Sequence, residues 1–286
     1  MAMVATPQSR VPARSPLESL RREARKWGRM FGLFVQDALA YRAVAVIWIL
    51  TDAVPSILNP LLWLAAFNGR QSIGGFAPSQ MTAYYLILLA VTNIVQCHQM
   101  WEIGSDIKEG RFSAYLIRPF SYATMNYLSF ASWRLMRTVM FLPIFCVAVL
   151  LFGHTLRWSD MHPTGFFFLS LVLGHLVSFS ITYAYGLLAL YFVETRSLFN
   201  VWYMFVILFS GQLAPIALFP PLLRTVAFIL PFRYTVALPT EILLGKLNPH
   251  DIGIGIVLQI FWLIAGWLIA RVLWTFGIRR FTGVGL

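Results

Sequence analysis

The chain has 286 residues, 59% of them hydrophobic and 12% charged, with a mean hydropathy of +0.72. A soluble domain carries about 25% charged and about 45–50% apolar residues, so these values exclude a soluble catalytic protein and indicate an all-α integral membrane protein. The net charge of +11 would direct a soluble protein to nucleic acid, but here Lys and Arg cluster at the ends of apolar runs, where membrane topology acts on them, and no nucleic-acid partner is expected.

Residues 1–16 carry Arg10 and Arg14 and lack the apolar core of a secretory signal. They read as a flexible basic tail retained on the mature protein, with some transit-peptide flavour in their Arg and Ser content. Over residues 17–42, Leu17, Leu20, Ala24, Trp27, Phe31 and Phe34 recur at helical spacing, and Arg21, Arg22, Arg25, Lys26 and Arg29 fill most of the rest. That pattern predicts an amphipathic helix lying in an anionic membrane surface, with membrane lipids as partners.

Residues 43–286 read as one transmembrane domain. Stretches long enough to cross about 30 Å of hydrocarbon predict six spans, at 43–67, 81–101, 123–153, 166–193, 198–219 and 252–276. In the first, Asp52 is an acid near mid-membrane, which costs roughly 2.5–3.5 kcal/mol on insertion scales and so faces a partner or a cavity. Two readings stand for it: a structural partner of Arg134 or Arg137, or a proton-coupled or substrate-contacting acid. In the second, Asn93, Gln96 and Gln99 recur every three residues, a stripe that either glues helices or lines a pathway. The third is long enough to tilt, with Pro143 as the point of a kink. In the fifth, Ser210–Gly211 followed by Pro215 loosens the helix in its outer half, as a gate or a packing kink. Gln212 and Gln259 are lone amides in the fifth and sixth. Asp52, Asn93, Gln96, Gln212 and Pro215 are thus the candidates for a pathway or gate.

Between the second and third spans, residues 105–122 read SDIKEGRFSAYLIRPFSY. Glu102, Asp106, Lys108 and Glu109 carry the second helix out of the membrane, and Gly110 breaks it. Phe112, Tyr115, Leu116 and Ile117 then offer an apolar face, and Pro119 holds Arg118 extended. A solvated loop alone has no need of so many aromatics, so this segment is the expected docking surface for another protein.

Residues 220–247 are apolar but interrupted by Pro221, Pro231 and Pro239, which predicts a re-entrant pair of short helices entering and leaving on one side. A seventh span there is the alternative. No catalytic constellation emerges. The five histidines, His98, His154, His162, His175 and His250, form no i, i+4 pair, so no metal is expected, and LLGKLN at residues 243–248 lacks the upstream glycine and the following Ser/Thr of a phosphate loop. Cys97 and Cys146 fall inside predicted spans and read as packing residues.

With the N-terminus cytoplasmic, 17 of the 22 Lys and Arg residues fall on the cytoplasmic side and 5 on the far side, counting Arg134 and Arg137 with the former and Arg233 with the latter. That bias puts both termini, and segment 105–122, in the cytoplasm.

Two stretches carry a resemblance. IKEGRFSAYLIRPFSY resembles the first cytoplasmic loop of the six-span group of ABC-2 type transporter permeases. LFSGQLAPIALFPPLLRTVAFILPFRYTVALPTEILLG, residues 208–245, is similar to that family's run of Ser-Gly, proline, Phe-Pro and a broken re-entrant pair. With the amphipathic N-terminal helix, the resemblance covers nearly the whole chain from about residue 17. It implies the transmembrane subunit of an ABC exporter in the bacterial cytoplasmic (inner) membrane, in which two permeases, identical or paralogous, pair with two separate ABC ATPase subunits. ATP and Mg would bind on those partner subunits, none directly on this chain, which would have no ATPase activity alone. By the same resemblance Ile107, Lys108, Glu109, Gly110, Arg111, Leu116, Arg118 and Pro119 form the coupling segment on the ATPase, and Glu194 and Arg196 lie in a second cytoplasmic turn. The cargo implied is hydrophobic, lipid-like or a glycan. The competing class is a non-transporting membrane assembly or scaffold protein that docks a cytoplasmic partner.

Overall fold

The computed structural model describes residues 16–40, 42–155, 157–192 and 194–281. Of some residues within the first two helices, Asp52 among them, only the backbone is described, and the tail expected over residues 1–16 lies outside the description except at its last residue. Among the described residues there are eleven α-helices, joined in places by short 3-10 turns, and no strand.

Helix α1, Pro16–Ala40, keeps Arg21, Arg22, Arg25 and Arg29 exposed. Its other face rests on α6, Tyr122–Phe152: Ala38 is buried with Met136, and the Phe31 carbonyl accepts from Ser132 Oγ at 3.4 Å. Amphipathicity predicts a helix lying in the membrane surface; of its described apolar side chains, Ala38 is buried and Trp27, Phe31 and Phe34 are half-buried. Helix α2, Arg42–Phe67, is 26 residues long, about 39 Å at 1.5 Å per residue.

Among the described residues, four stretches are long and apolar enough to cross a membrane: Pro78–Lys108, Tyr122–Thr155, Gly165–Leu190 and Pro249–Gly277. The first comprises α3, Pro78–Val95, and α4, Met100–Lys108. Helix α3 is the centre of the molecule, with every residue from Met81 to Leu89 buried. A six-residue helix, α5, Arg111–Leu116, follows α4. Helix α6 runs unbroken through Pro143 for 31 residues, about 46 Å and well over the hydrocarbon thickness.

Helix α7, Gly165–Gly186, starts at Thr164, whose side chain accepts from Phe167 N, and packs along the last long helix. That helix, α11, is Pro249–Gly277, started by Asn248, whose side chain accepts from Asp251 N at 2.8 Å, and by Pro249 in its first turn. The lone Gln259 on α11 is fully buried and donates to the carbonyls of Ser170 and Tyr234 at 2.9 and 2.8 Å. It joins α11 to α7 and to the segment before α10, which is the gluing role of an intramembrane amide.

The helix within the predicted span 198–219 is shorter than expected. Helix α8, Arg196–Phe209, has 14 residues, about 21 Å, and the chain then leaves helical geometry at Gly211, with φ of 85°. The irregular turn is satisfied from α3: Tyr84 Oη donates to Gly211 O and Tyr85 Oη to Leu213 O, both at 2.9 Å. Tyr85 Oη in turn accepts from Trp63 Nε1 at 2.7 Å. A methyl group at Gly211 would lie 2.5 Å from the Tyr84 hydroxyl, so both space and φ require glycine.

The proline-broken segment forms two short helices, α9, Pro221–Ile229, and α10, Ala237–Leu243, with a 3-10 turn over Pro231–Tyr234 between them. Nine residues of helix reach about 14 Å, too short to cross. Arg233 was counted with the far-side loops. It lies instead inside this hairpin, buried, with Nη2 on Glu241 Oε2 at 2.6 Å and the guanidinium 4.1 Å over the Phe228 ring. Non-helical backbone at membrane depth needs such internal partners.

Candidate functional site

The charged segment after α4 is built around Gly110, whose φ of 77° and ψ of −4° set it in the left-handed region. An L side chain there costs roughly 1–2 kcal/mol, so glycine lets α5 fold back sharply beneath α4. Phe112, fully buried, is the pin: its ring meets Tyr122 at 4.9 Å, Phe281 at 5.0 Å and Trp274 at 5.7 Å, all edge-on. Beside it the buried Asp106 carboxylate accepts from Arg111 Nε at 2.9 Å and from Tyr122 Oη at 3.3 Å. Arg111 also pairs with Glu109. The bond to Asp106, first among the causes, holds the Arg111 guanidinium still more firmly protonated than usual.

The two polar turns at this end meet. Lys108 Nζ lies 3.3 Å from Glu194 Oε2, and Glu194 Oε1 accepts from Arg196 N at 2.8 Å. The backbone N–H of Arg196, then Lys108, hold the Glu194 carboxyl below its ordinary range. One pair links the first turn to the second, while α5 and α6 are joined through Asp106.

The apolar face read from sequence divides in two. Phe112 turns inward, Tyr115 is half-buried, and Leu116 and Ile117 turn outward, with Ile117 86% exposed. That is the highest exposure of any large apolar side chain among the described residues. Arg118 and Pro119 are exposed beside it, with Arg118 5.0 Å over the Tyr115 ring. Of the expected docking residues, Lys108, Glu109, Arg111, Leu116, Arg118 and Pro119 are at the surface, together with Glu194 and Arg196. Ile107 is not: it is 7% exposed and packs with Ile103 and Phe112. It packs on the inner side of α4, whereas Ile117 lies at the exposed tip.

The intramembrane candidates are arranged differently from the stripe that the spacing of Asn93, Gln96 and Gln99 predicts. Helix α3 stops at Val95, and Gln96 is extended, with φ of −70° and ψ of 128°. The three amides therefore do not share a helix face. Nothing in Val95–Gln99 is a helix breaker, and the break is imposed from other helices. Arg134, buried on α6, donates to the carbonyls of Thr92 and Asn93 at the C-terminus of α3, where a cation is favourable. Cys97 N donates to Ser178 Oγ at 2.9 Å, and Gln99 Nε2 to Phe179 O at 3.0 Å.

Each amide has its own partner. Asn93 Oδ1 accepts from Thr138 Oγ1 at 3.0 Å, and Gln96 Oε1 from Gln212 Nε2 at 3.2 Å, while Gln212 also reaches Ser210 Oγ at 3.0 Å. The structure thus joins Gln96 to Gln212, and through them the α3–α4 break to the end of α8. Pro215 opens the 3-10 turn at Ile216–Leu218. Asp52 lies in α2, and its side chain is outside the described residues. Arg134 and Arg137 were counted with the cytoplasmic loops; both are buried within α6, and setting them aside leaves 15 of 20 cations on that side.

Beside the break, a cavity of about 20 Å³ is lined by Gln96, His98, Thr182, Tyr203 and Thr235, among others. It takes roughly one water, far below the ~300–1,000 Å³ of a small-molecule site. Among the described residues no three His, Cys, Asp or Glu side chains gather as a metal site. Cys97 and Cys146 are both free thiols.

A family model described as ABC-2 family transporter protein matches residues 53–285. No curated protein and no solved structure matches the chain.

Proposed function

Because the chain belongs to the ABC-2 transporter family, and is a multi-pass transmembrane component of such a transporter, we propose that it is the permease subunit of an exporter. In this reading two separate ABC ATPases power it, it pairs with a second copy or a paralogue, and it moves a hydrophobic, lipid-like or glycan cargo out of a bacterial cytoplasm or inner leaflet. Helices α2 and α8 supply the first and fifth of six spans, α8 with the help of the irregular Ser210–Phe219 stretch. Both termini are cytoplasmic, and α1 lies along the membrane surface.

The observation that carries the reading is the tip at Leu116–Pro119. It is an apolar and cationic knob in the water phase, backed by a buried pin at Phe112 and by the Asp106–Arg111–Tyr122 cluster. An exposed apolar patch of this kind marks an interaction site, and one so rigidly joined to α4, α6 and α11 can pass displacement into the membrane. ATP-driven closure of the ATPases would then stabilise one arrangement of the helices over another, which is the way any ligand shifts such an equilibrium. The small cavity at Gln96 fits a resting state that must open, by movement or by pairing of two permeases, before cargo passes.

The test is co-expression with an ATPase encoded beside this chain, bearing a GxxxxGK[ST] loop. Co-purification, and ATP hydrolysis lost on replacing the tip residues, is the result expected. A stable complex with no hydrolysis under any condition would favour the scaffold class instead.

A further inference from the structure

An open groove of about 850 Å³ runs between the start of α6, α7 and the C-terminal half of α11. Along α11 its wall extends from Leu263 to Trp274, about 16 Å at 1.5 Å per residue. That is close to the hydrocarbon depth of one leaflet, half of about 30 Å. Toward the Leu263 end the wall is aliphatic, with Ile264 and Leu268 55% and 59% exposed.

The other end is aromatic and cationic. Tyr122 stacks on Trp274 at 5.9 Å, fixing the α5–α6 corner beside the last part of α11. Among the described residues that line the groove, Arg271, exposed, is the single cation and there is no carboxylate. Two further cations sit on rings that line it: Arg118 over Tyr115 at 5.0 Å and Lys26 over Phe120 at 4.6 Å. Of the acids on the adjoining elements, Asp106 is engaged with Arg111 and Tyr122, Glu109 with Arg111, and Glu23 with Lys26 at 3.2 Å.

We propose that this groove holds one anionic glycerophospholipid of the leaflet at the α5 end. Its phosphate pairs with Arg271, within the field of Arg118 and Lys26, and an acyl chain lies along Leu263, Ile264 and Leu268. A free phosphate would meet the cations and leave the aliphatic wall uncovered. A second copy of the chain would cover the wall and strip water from Arg271 and Arg118 without neutralising them. A lipid satisfies both ends, and Tyr and Trp at the headgroup level are the usual company of one. The lipid would bridge α11 and the segment carrying the tip, so its loss loosens that connection. The inference does not depend on cargo or on direction of transport.

The experiment is native mass spectrometry of the full chain in detergent, titrated with palmitoyl-oleoyl phosphatidylglycerol, with phosphatidylcholine of the same chains, and with inorganic phosphate. One retained phosphatidylglycerol, preferred over phosphatidylcholine by about five-fold, is the magnitude expected of a cation near an anionic headgroup. Arg271→Gln should abolish the preference, and Ile264→Trp, which fills the aliphatic half, should reduce retention of both lipids. Both side chains are exposed and the two variants are independent, so the failure of one to purify leaves the other as the test. Equal retention of the two lipids overturns the proposal. So does retention unchanged in either variant, displacement of the lipid by inorganic phosphate, or a dimer mass that Arg271→Gln dissociates.

Discussion

The buried Asp106 carboxylate accepts from Arg111 Nε at 2.9 Å across the left-handed turn at Gly110, and this contact holds α4 and α5 as one body. Asp106→Ala would strip Arg111 and Tyr122 of their shared acceptor. Losing hydrogen bonds of this kind to a charged group costs about 1.5–3 kcal/mol. The expected outcome is a lower melting temperature for the detergent-purified chain, and ATPase stimulation that falls further than complex formation does. An unchanged melting temperature would show that the cluster does not brace the segment.

The tip makes the opposite prediction. Ile117 has no interior packing to lose, so Ile117→Asp should leave the melting temperature within about 1 °C, as exposed substitutions generally change stability little. If the tip seats in a partner's pocket, burying a charge there weakens the complex by at least ten-fold, about 1.4 kcal/mol or more. Ile107→Asp should behave in reverse and destabilise the isolated chain. Pull-down with the ATPase beside thermal melts of the permease alone separates the two.

Gly211→Ala meets the Tyr84 hydroxyl at 2.5 Å and a φ of 85°, so it should destabilise by roughly 1–3 kcal/mol. Gly253→Ala is the control: that glycine lies within α11 with nothing within 4 Å of the new methyl, and the change should be neutral or stabilise by about 1 kcal/mol. Equal melting temperatures for the two would contradict the turn geometry after α8.

Arg233 and Glu241 lie buried together at 2.6 Å in the re-entrant hairpin. Removing either partner leaves an uncompensated buried charge, a loss of about 3–5 kcal/mol, whereas replacing both by apolar residues of similar size is often near neutral. Arg233→Met and Glu241→Leu should therefore each express poorly, and the double variant should recover most of the melting temperature. Additive losses would show that the two side chains act independently.

Much of this was legible in local chemistry. The prolines at 221, 231 and 239 forced short helices wherever they fell, and Gly110 before Arg111 marked a turn that no neighbouring side chain could replace. Leu116, Arg118 and Pro119, in the charged segment after α4, lie at the surface. Where the reading went astray, the deciding contact came from far along the chain. The amide stripe failed because Arg134, 38 residues beyond Gln96, takes the Asn93 carbonyl, while Cys97 N, which would have bonded it, donates to Ser178 instead. Phe112 and Ile117 looked alike in sequence and separated because one found Tyr122, Trp274 and Phe281 within reach.

Composition and hydropathy by themselves determined that the chain is helical and membrane-embedded, since a backbone in hydrocarbon has to satisfy its own hydrogen bonds. Two motifs determined the family. Tertiary structure alone decided which cations are exposed and which are buried: Arg134 and Arg233 are the same residue type as Arg118 and Arg271, and only their packing distinguishes them. It also decided that Gln96 and Gln212 form a pair and that a leaflet-deep groove opens beneath Arg271. A charge reads the same in sequence wherever it lies; its energy depends on the groups that other helices bring beside it.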